Sequence, residues 1–188
     1  MGMASAQTGW TIDMLDTLPD GSDRHELIDG ELFVTPAPGE GHQLVVFELI
    51  TRLRNYLEGR GAGLALGAPT DVWRDERMKN RVQPDVFVLR VIDGRRPQYP
   101  YHLRDLLLAV EVASPSNPLL DYQVKRDVYL RAGLEEYWVV NTEARNVSRW
   151  RGRDDPGDLL SGRLEWLPPG AVSPFVLDLA SFFDETLR

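Results

Sequence analysis

Two acidic side chains stand inside runs that otherwise have no place for charge. Asp85 follows Val82-Gln83-Pro84 and opens Val86-Phe87-Val88-Leu89, and Glu111 separates Leu106-Leu107-Leu108-Ala109-Val110 from Val112-Ala113. Short apolar runs of this kind read as strands buried on both faces. Burying a carboxylate there is costly unless it is paired or binds a metal. A position where a sequence breaks its own pattern is a functional candidate. Two carboxylates on adjacent strands suit Mg2+, a hard cation that takes oxygen ligands and keeps several waters. Such an ion polarises a phosphoryl oxygen and lowers the pKa of an attacking water. Lys125 follows on a predicted helix, sharing a partly apolar stripe with Asp121, Val128, Tyr129 and Ala132. An ammonium group near the sheet could orient that water or stabilise charge on a phosphate. The plainer alternatives are a strand-entry turn residue for Asp85, an arginine ion pair for Glu111, and a salt bridge to Asp121 for Lys125.

The order Pro84-Asp85, Glu111, Lys125 resembles the PD-(D/E)XK nuclease superfamily. Closer detail lies in Val82-Gln83-Pro84-Asp85, in Glu111-Val112-Ala113-Ser114-Pro115-Ser116, in the Asp121…Lys125 pair, and in Gly133-Leu134-Glu135-Glu136-Tyr137-Trp138-Val139-Val140. Together these are similar to the Uma-two family of restriction-endonuclease-like proteins, from near Glu26 to about Trp150. The resemblance implies an α/β (α+β) fold: a mixed central β-sheet flanked by helices, with an added N-terminal β-hairpin. It implies an endonuclease that hydrolyses DNA phosphodiester bonds with Mg2+, or Mn2+ as a substitute. Asp85, Glu111, Lys125 and Glu26 would be its catalytic residues. Asp85, Glu111 and the Val112 carbonyl would hold the metal. One position departs from the superfamily pattern, which puts the lysine two residues after the glutamate; Ala113 stands there, and the resemblance moves the lysine to Lys125.

Other candidates are less distinctive. Glu26 could complete the acidic cluster directly or through a water, or simply make a cross-strand pair. His42, at the start of a long helix, could touch phosphate or metal, or be a satisfied helix-end residue. Gln83, just before Pro-Asp, is a candidate for positioning substrate. Ser114 and Ser116 have no recognisable base partner among the three histidines, and Ser114-Pro115-Ser116 reads as a strand-to-helix turn.

These residues need elements to position them. Thr11 caps a short helix to Leu18. Asp29-Gly30 between apolar runs predicts a type I′ hairpin over Arg24–Thr35. His42, Val46, Leu49, Leu53 and Tyr56 predict a helix from His42 to Glu58 with an inward stripe. Strands are expected over 64–66, 70–73, 84–91 and 106–113, with a charged turn over 75–81 and a surface loop over 93–102. Asn117 and Pro118 open a second helix that Gly133 closes. Strands over 136–141, 146–151, 163–167 and 175–177 follow, with a polar turn over 153–162 and a helix over 179–187.

The 188 residues suit one domain over 1–188, with 1–10 a loose tail. Cysteine is absent, which excludes disulfides, thiolate metal sites and a thiol nucleophile and fits a cytoplasmic location. No signal peptide and no membrane-length apolar run is expected. A net charge of −8 counts against a broad nucleic-acid surface. A local basic groove could still come from Arg52, Arg54, Arg60, Arg74, Arg77, Lys79 and Arg81, or these could form a solvated face. The chain is therefore read as a metal-dependent endonuclease, expected to be a homodimer. The alternative is a catalytically silent nuclease-fold module that binds DNA or a protein partner, and a third possibility is another phosphate substrate.

Overall fold

A computed structural model describes residues 7–19, 21, 23–59, 63–73, 80–113 and 118–188. The chain begins with β1 (Gln7–Thr8), α1 (Ile12–Leu15), β2 (Arg24–Ile28) and β3 (Glu31–Thr35). Asp29 and Gly30 join β2 to β3 with φ of 51° and 84°, the two positive values that a type I′ turn needs. The outer edge of this hairpin is not bare. Gln7 and Thr8, expected in a loose tail, pair with Leu32 and Glu31 of β3. Next comes α2 (Glu40–Leu57), whose buried stripe is Val45, Leu49, Leu53 and Leu57. Val46 and Tyr56 lie at its margin, half-buried, and His42 turns instead toward the strand ends.

The remaining elements are β4 (Gly63–Gly67), β5 (Val72–Trp73), β6 (Arg81–Val82), β7 (Val86–Arg90), β8 (Tyr101–His102), β9 (Leu106–Val112), a π-helical turn (Leu120–Lys125) running into α3 (Arg126–Arg131), β10 (Tyr137–Asn141), β11 (Asn146–Trp150), β12 (Asp158–Leu160), β13 (Arg163–Trp166), β14 (Phe175–Asp178) and α4 (Leu179–Thr186). Three short strands replace expected loop: β6 claims Arg81, β8 ends the 93–102 segment, and β12 sits in the supposed polar turn. Runs of two or three residues are too short to carry a periodic signal. The Ser114-Pro115-Ser116 turn and the Asn117 cap lie outside the described residues.

The central sheet has the order β12-β11-β10-β9-β7-β4, with β9 and β10 parallel and the other pairs antiparallel. A second sheet, β1-β3-β2-β6-β5-β8, incorporates the hairpin, and β13 pairs with β14. Successive side chains on a strand face opposite ways. Val86, Val88, Val110, Val112 and Trp138 pack toward α2 and α4, with Leu49, Leu53 and Phe182. Phe87, Leu89, Ala109 and Tyr137 pack on the opposite face, with Val128 and Tyr129 and with Ile28, Phe33 and Val82 of the second sheet. Asp85 is in step with Phe87, and Glu111 with Ala109, so both carboxylates belong to this second face.

Register brings the pair together. Val86 lies opposite Val110, and one further step sets Asp85 beside Glu111. The backbone at Asp85 is clamped from the other side by β4. The Ala68 N–H donates to the Asp85 carbonyl at 3.3 Å. A Cβ at Gly67 would lie 2.7 Å from that same carbonyl oxygen, so this close approach of two strands requires glycine.

Candidate active site

Pro84 has no N–H to offer a sheet ladder, and strand pairing begins only after Asp85. The Asp85 side chain is nevertheless buried, and its oxygens are taken up by three elements. Arg24 of β2 donates to Oδ1 at 2.7 Å, and the Val112 N–H donates to Oδ2 at 2.8 Å. His42, in the first turn of α2, places Nε2 3.0 Å from Oδ2. A carboxylate can only accept, so Nε2 carries the hydrogen. Burial pushes the Asp85 pKa up, but the His42 hydrogen bond and then the Arg24 charge outweigh it and hold the group below the usual carboxylate range.

A second cluster adjoins it. Lys125 Nζ lies 2.9 Å from Glu26 Oε2 and 3.2 Å from Glu111 Oε2, all three side chains being buried. Asp121, the partner of the plainer reading, is farther away at 3.9 Å. The π-helical turn carries both Asp121 and Lys125 inward; single π turns recur at functional sites. Tyr129 OH donates to Glu111 Oε1 at 2.8 Å. The Gln83 N–H donates to Glu26 Oε1 at 2.8 Å, and its amide donates to Asp71 Oδ1 at 2.8 Å. Burial is the largest influence on Glu111 and raises its pKa well above 4.5; Lys125 opposes this, while Asp85, Asp121 and Glu26 add to it. Burial alone would lower Lys125, but Glu111, Glu26 and Asp121 reverse the sign and keep it protonated.

Asp85, Glu111, Lys125, Glu26, His42, Gln83 and Val112 therefore converge. The Val112 group that meets Asp85 is its N–H, whereas the sequence resemblance used its carbonyl. Sequence reasoning missed Arg24 and gave Tyr129 only a packing role. Arg24 was discoverable: it lies two residues before Glu26, hence on the same face of one strand. Three members of the basic run are described, and two of them are paired. Arg52 is tied to Glu48 and Glu185, and Arg81 pairs with Asp16 and lies over the Trp73 ring. Arg54 is exposed, and Arg60, Arg74, Arg77 and Lys79 lie outside the described residues.

Asp85 opens on a cleft of ≈ 740 Å³ lined also by Arg24, His42, Gln83, Arg81 and Phe47. Among the described residues no three His, Asp or Glu side chains converge as a ready-made cation cage. Arg24 and Lys125 already neutralise part of the acidic group. The donor set still fits a divalent cation: among the described residues the four carboxylates Asp85, Glu111, Glu26 and Asp121 gather around Arg24 and Lys125. Oxygen donors are what a hard cation takes.

The fold is nuclease-like. A crystal structure titled as a "putative nuclease belonging to DUF820", from Anabaena variabilis, superposes with a TM-score of 0.74 at 16% identity, covering 93% of this chain and 98% of that one. The family model Uma2, described as "Putative restriction endonuclease", matches residues 12–172. The chain belongs to that family. No curated protein matches it.

The Lys125 environment makes its charge part of the folded structure. Removing one partner of a buried ion pair costs roughly 3–5 kcal/mol, because the other charge is left uncompensated. Lys125→Met should lower the unfolding free energy measured by urea denaturation by an amount in that range, moving the midpoint down, and Glu26→Gln in the same background should restore part of it. An unchanged midpoint would mean that Glu26 and Glu111 do not depend on the ammonium.

Proposed function

We propose that this protein is a metal-dependent endonuclease that hydrolyses DNA phosphodiester bonds, using Mg2+ with Mn2+ as a substitute. One observation carries the reading: Asp85 and Glu111 sit side by side on adjoining strands, with Lys125 3.2 Å from Glu111, and Asp85 opens into the cleft. Family membership and the nuclease-like fold support it. Asp85, Glu111 and the Val112 carbonyl would hold the ion. When bound, the ion supplies a polarised phosphoryl oxygen and a water of lowered pKa.

The protein groups do the positioning. Lys125 keeps Glu111 and Glu26 from repelling one another, and adds a fixed positive charge behind the reacting centre. Glu26 holds Lys125 and, through the Gln83 N–H, fixes the segment leading into Pro84-Asp85. Tyr129 sets the orientation of the Glu111 carboxylate. His42 and Gln83 line the cleft, where a phosphate and its sugar would lie. Both can hydrogen-bond nucleic-acid backbone, which positions substrate without reading sequence.

Asp85→Asn keeps the side-chain volume and removes the charge. Plasmid nicking in Mg2+ should then fall by at least about a hundredfold, the scale on which a single electrostatic stabiliser acts. Glu111→Gln should behave alike. Wild-type protein that binds a DNA duplex but never cuts it, in Mg2+ or Mn2+, would make the chain the silent binding module instead.

We further propose a cytoplasmic homodimer. β1 covers the outer edge of the hairpin, so the pairing is not through that edge; a two-fold pair offers one site to each DNA strand, and closed two-fold assembly is the commonest kind. Sedimentation velocity should give twice the mass of the 21.3 kDa chain. A monomer at micromolar concentration, with and without DNA, would refute it.

A further inference from the structure

We propose that Arg24 is a further catalytic residue, which holds Asp85 in the metal-free protein and transfers its guanidinium to the scissile phosphate when a divalent cation takes the carboxylate. The inference rests on the nuclease reading above.

The observations are geometric. Asp85 Oδ2 is shared by the Val112 N–H and His42, whereas among the described residues Arg24 alone bonds to Oδ1. A cation arriving at Asp85 therefore meets a guanidinium already paired with one of its oxygens. The two positive groups repel, and one must yield. Arg24 has somewhere to go. It lines the cleft, and its side chain keeps 16% of its accessible surface. Among the described residues its hydrogen bonds go to Asp85 at 2.7 Å and the Gln83 carbonyl at 3.1 Å, using two of five N–H donors. Its planar fork matches a phosphate bidentately.

Among the described residues, the other cations near the site do not fill this role. Lys125 is buried behind Glu26 and Glu111 and does not line the cleft. Arg81 lines it, but is tied to Asp16 at 2.6 Å and stacked over Trp73. Arg24 is thus the permanent positive charge that touches a proposed metal ligand and also faces the space where substrate would lie. This double placement has an unusual consequence. Arg24 competes with the metal and assists the reaction, so deleting it should move affinity and rate in opposite directions. A residue that only braced the fold would weaken both.

The test measures Mn2+ binding by the loss of the free-ion paramagnetic resonance signal, for the wild-type chain, Arg24→Gln and Arg24→Lys. Plasmid nicking in Mg2+ is measured in parallel. Arg24→Gln should bind Mn2+ about tenfold more tightly, the scale of one charge-assisted bond at the ligand. Its kcat should fall about a hundredfold. Arg24→Lys should lie between wild type and Arg24→Gln in both, since a point charge pairs with one oxygen at a time. Mn2+ binding by Arg24→Gln equal to or weaker than wild type overturns the inference, and leaves the nuclease reading standing if Asp85→Asn abolishes that binding. No Mn2+ binding by either protein overturns both. If Arg24→Gln does not fold, Arg24→Lys decides: tighter Mn2+ binding with slower nicking supports the inference, and unchanged affinity overturns it.

Discussion

The Asp85 carboxylate accepts bonds from three separate elements: Arg24 of β2, His42 of α2 and the Val112 N–H at the end of β9. A charge buried at this depth costs several kcal/mol unless its lone pairs are answered. Here they are answered by parts of the chain far apart in sequence, so satisfying one side chain docks a hairpin, a long helix and a central strand at a single point. The backbone of Asp85 is held as closely, by Gly67 and by the Ala68 N–H from β4. Proton binding follows from the same contacts. Asp85, bonded to the Arg24 guanidinium and to N–H groups, stays ionised, while Glu111 is pushed up first by burial and then by the carboxylates around it.

The hairpin is part of this arrangement rather than an appendage to the fold. Arg24 and Glu26 lie two residues apart on one face of β2, and each serves a different half of the site. Arg24 goes to Asp85; Glu26 goes to Lys125 and to the Gln83 N–H. β9 divides its end residues in the same way, with Glu111 facing Lys125 and the Val112 N–H facing Asp85. The two halves are therefore coupled through both strands, and a change of charge at one carboxylate is felt at the other. Buried polar networks of this kind specify one arrangement only when every member is satisfied.

Much of this was legible in the residues. Asp85 and Glu111 stood out because a charge has no business in an apolar strand, and strand alternation then put both on one face. The Asp29-Gly30 turn followed from backbone sterics alone. Lys125 came from a helical stripe and from the family resemblance; its depth did not, because a stripe says which way a side chain points and not how far a second sheet covers it. That sheet is what the residues concealed. β5 falls within the expected strand over 70–73, but β6 and β8 are two residues each and Gln7–Thr8 is no longer, so no periodicity announces them. Arg24 was missed for a related reason: an arginine at the start of a hairpin looks solvent-exposed until its long-range partner Asp85 is known. Of the basic run between α2 and the Pro-Asp strand, Arg52 and Arg81 are occupied by nearby carboxylates, and four of its members lie outside the described residues.

The central claim is that Asp85 and Glu111 form one cation site whose charge balance Arg24 and Lys125 maintain in the cation's absence. It is tested most directly by anomalous scattering from crystals of the chain soaked in Mn2+. The account predicts a single strong anomalous peak within bonding distance of carboxylate oxygens from both Asp85 and Glu111, with Arg24 withdrawn from Oδ1. A peak bound elsewhere, or a fully loaded soak that leaves the Arg24–Asp85 pair at its 2.7 Å separation with no density between the two carboxylates, would contradict it.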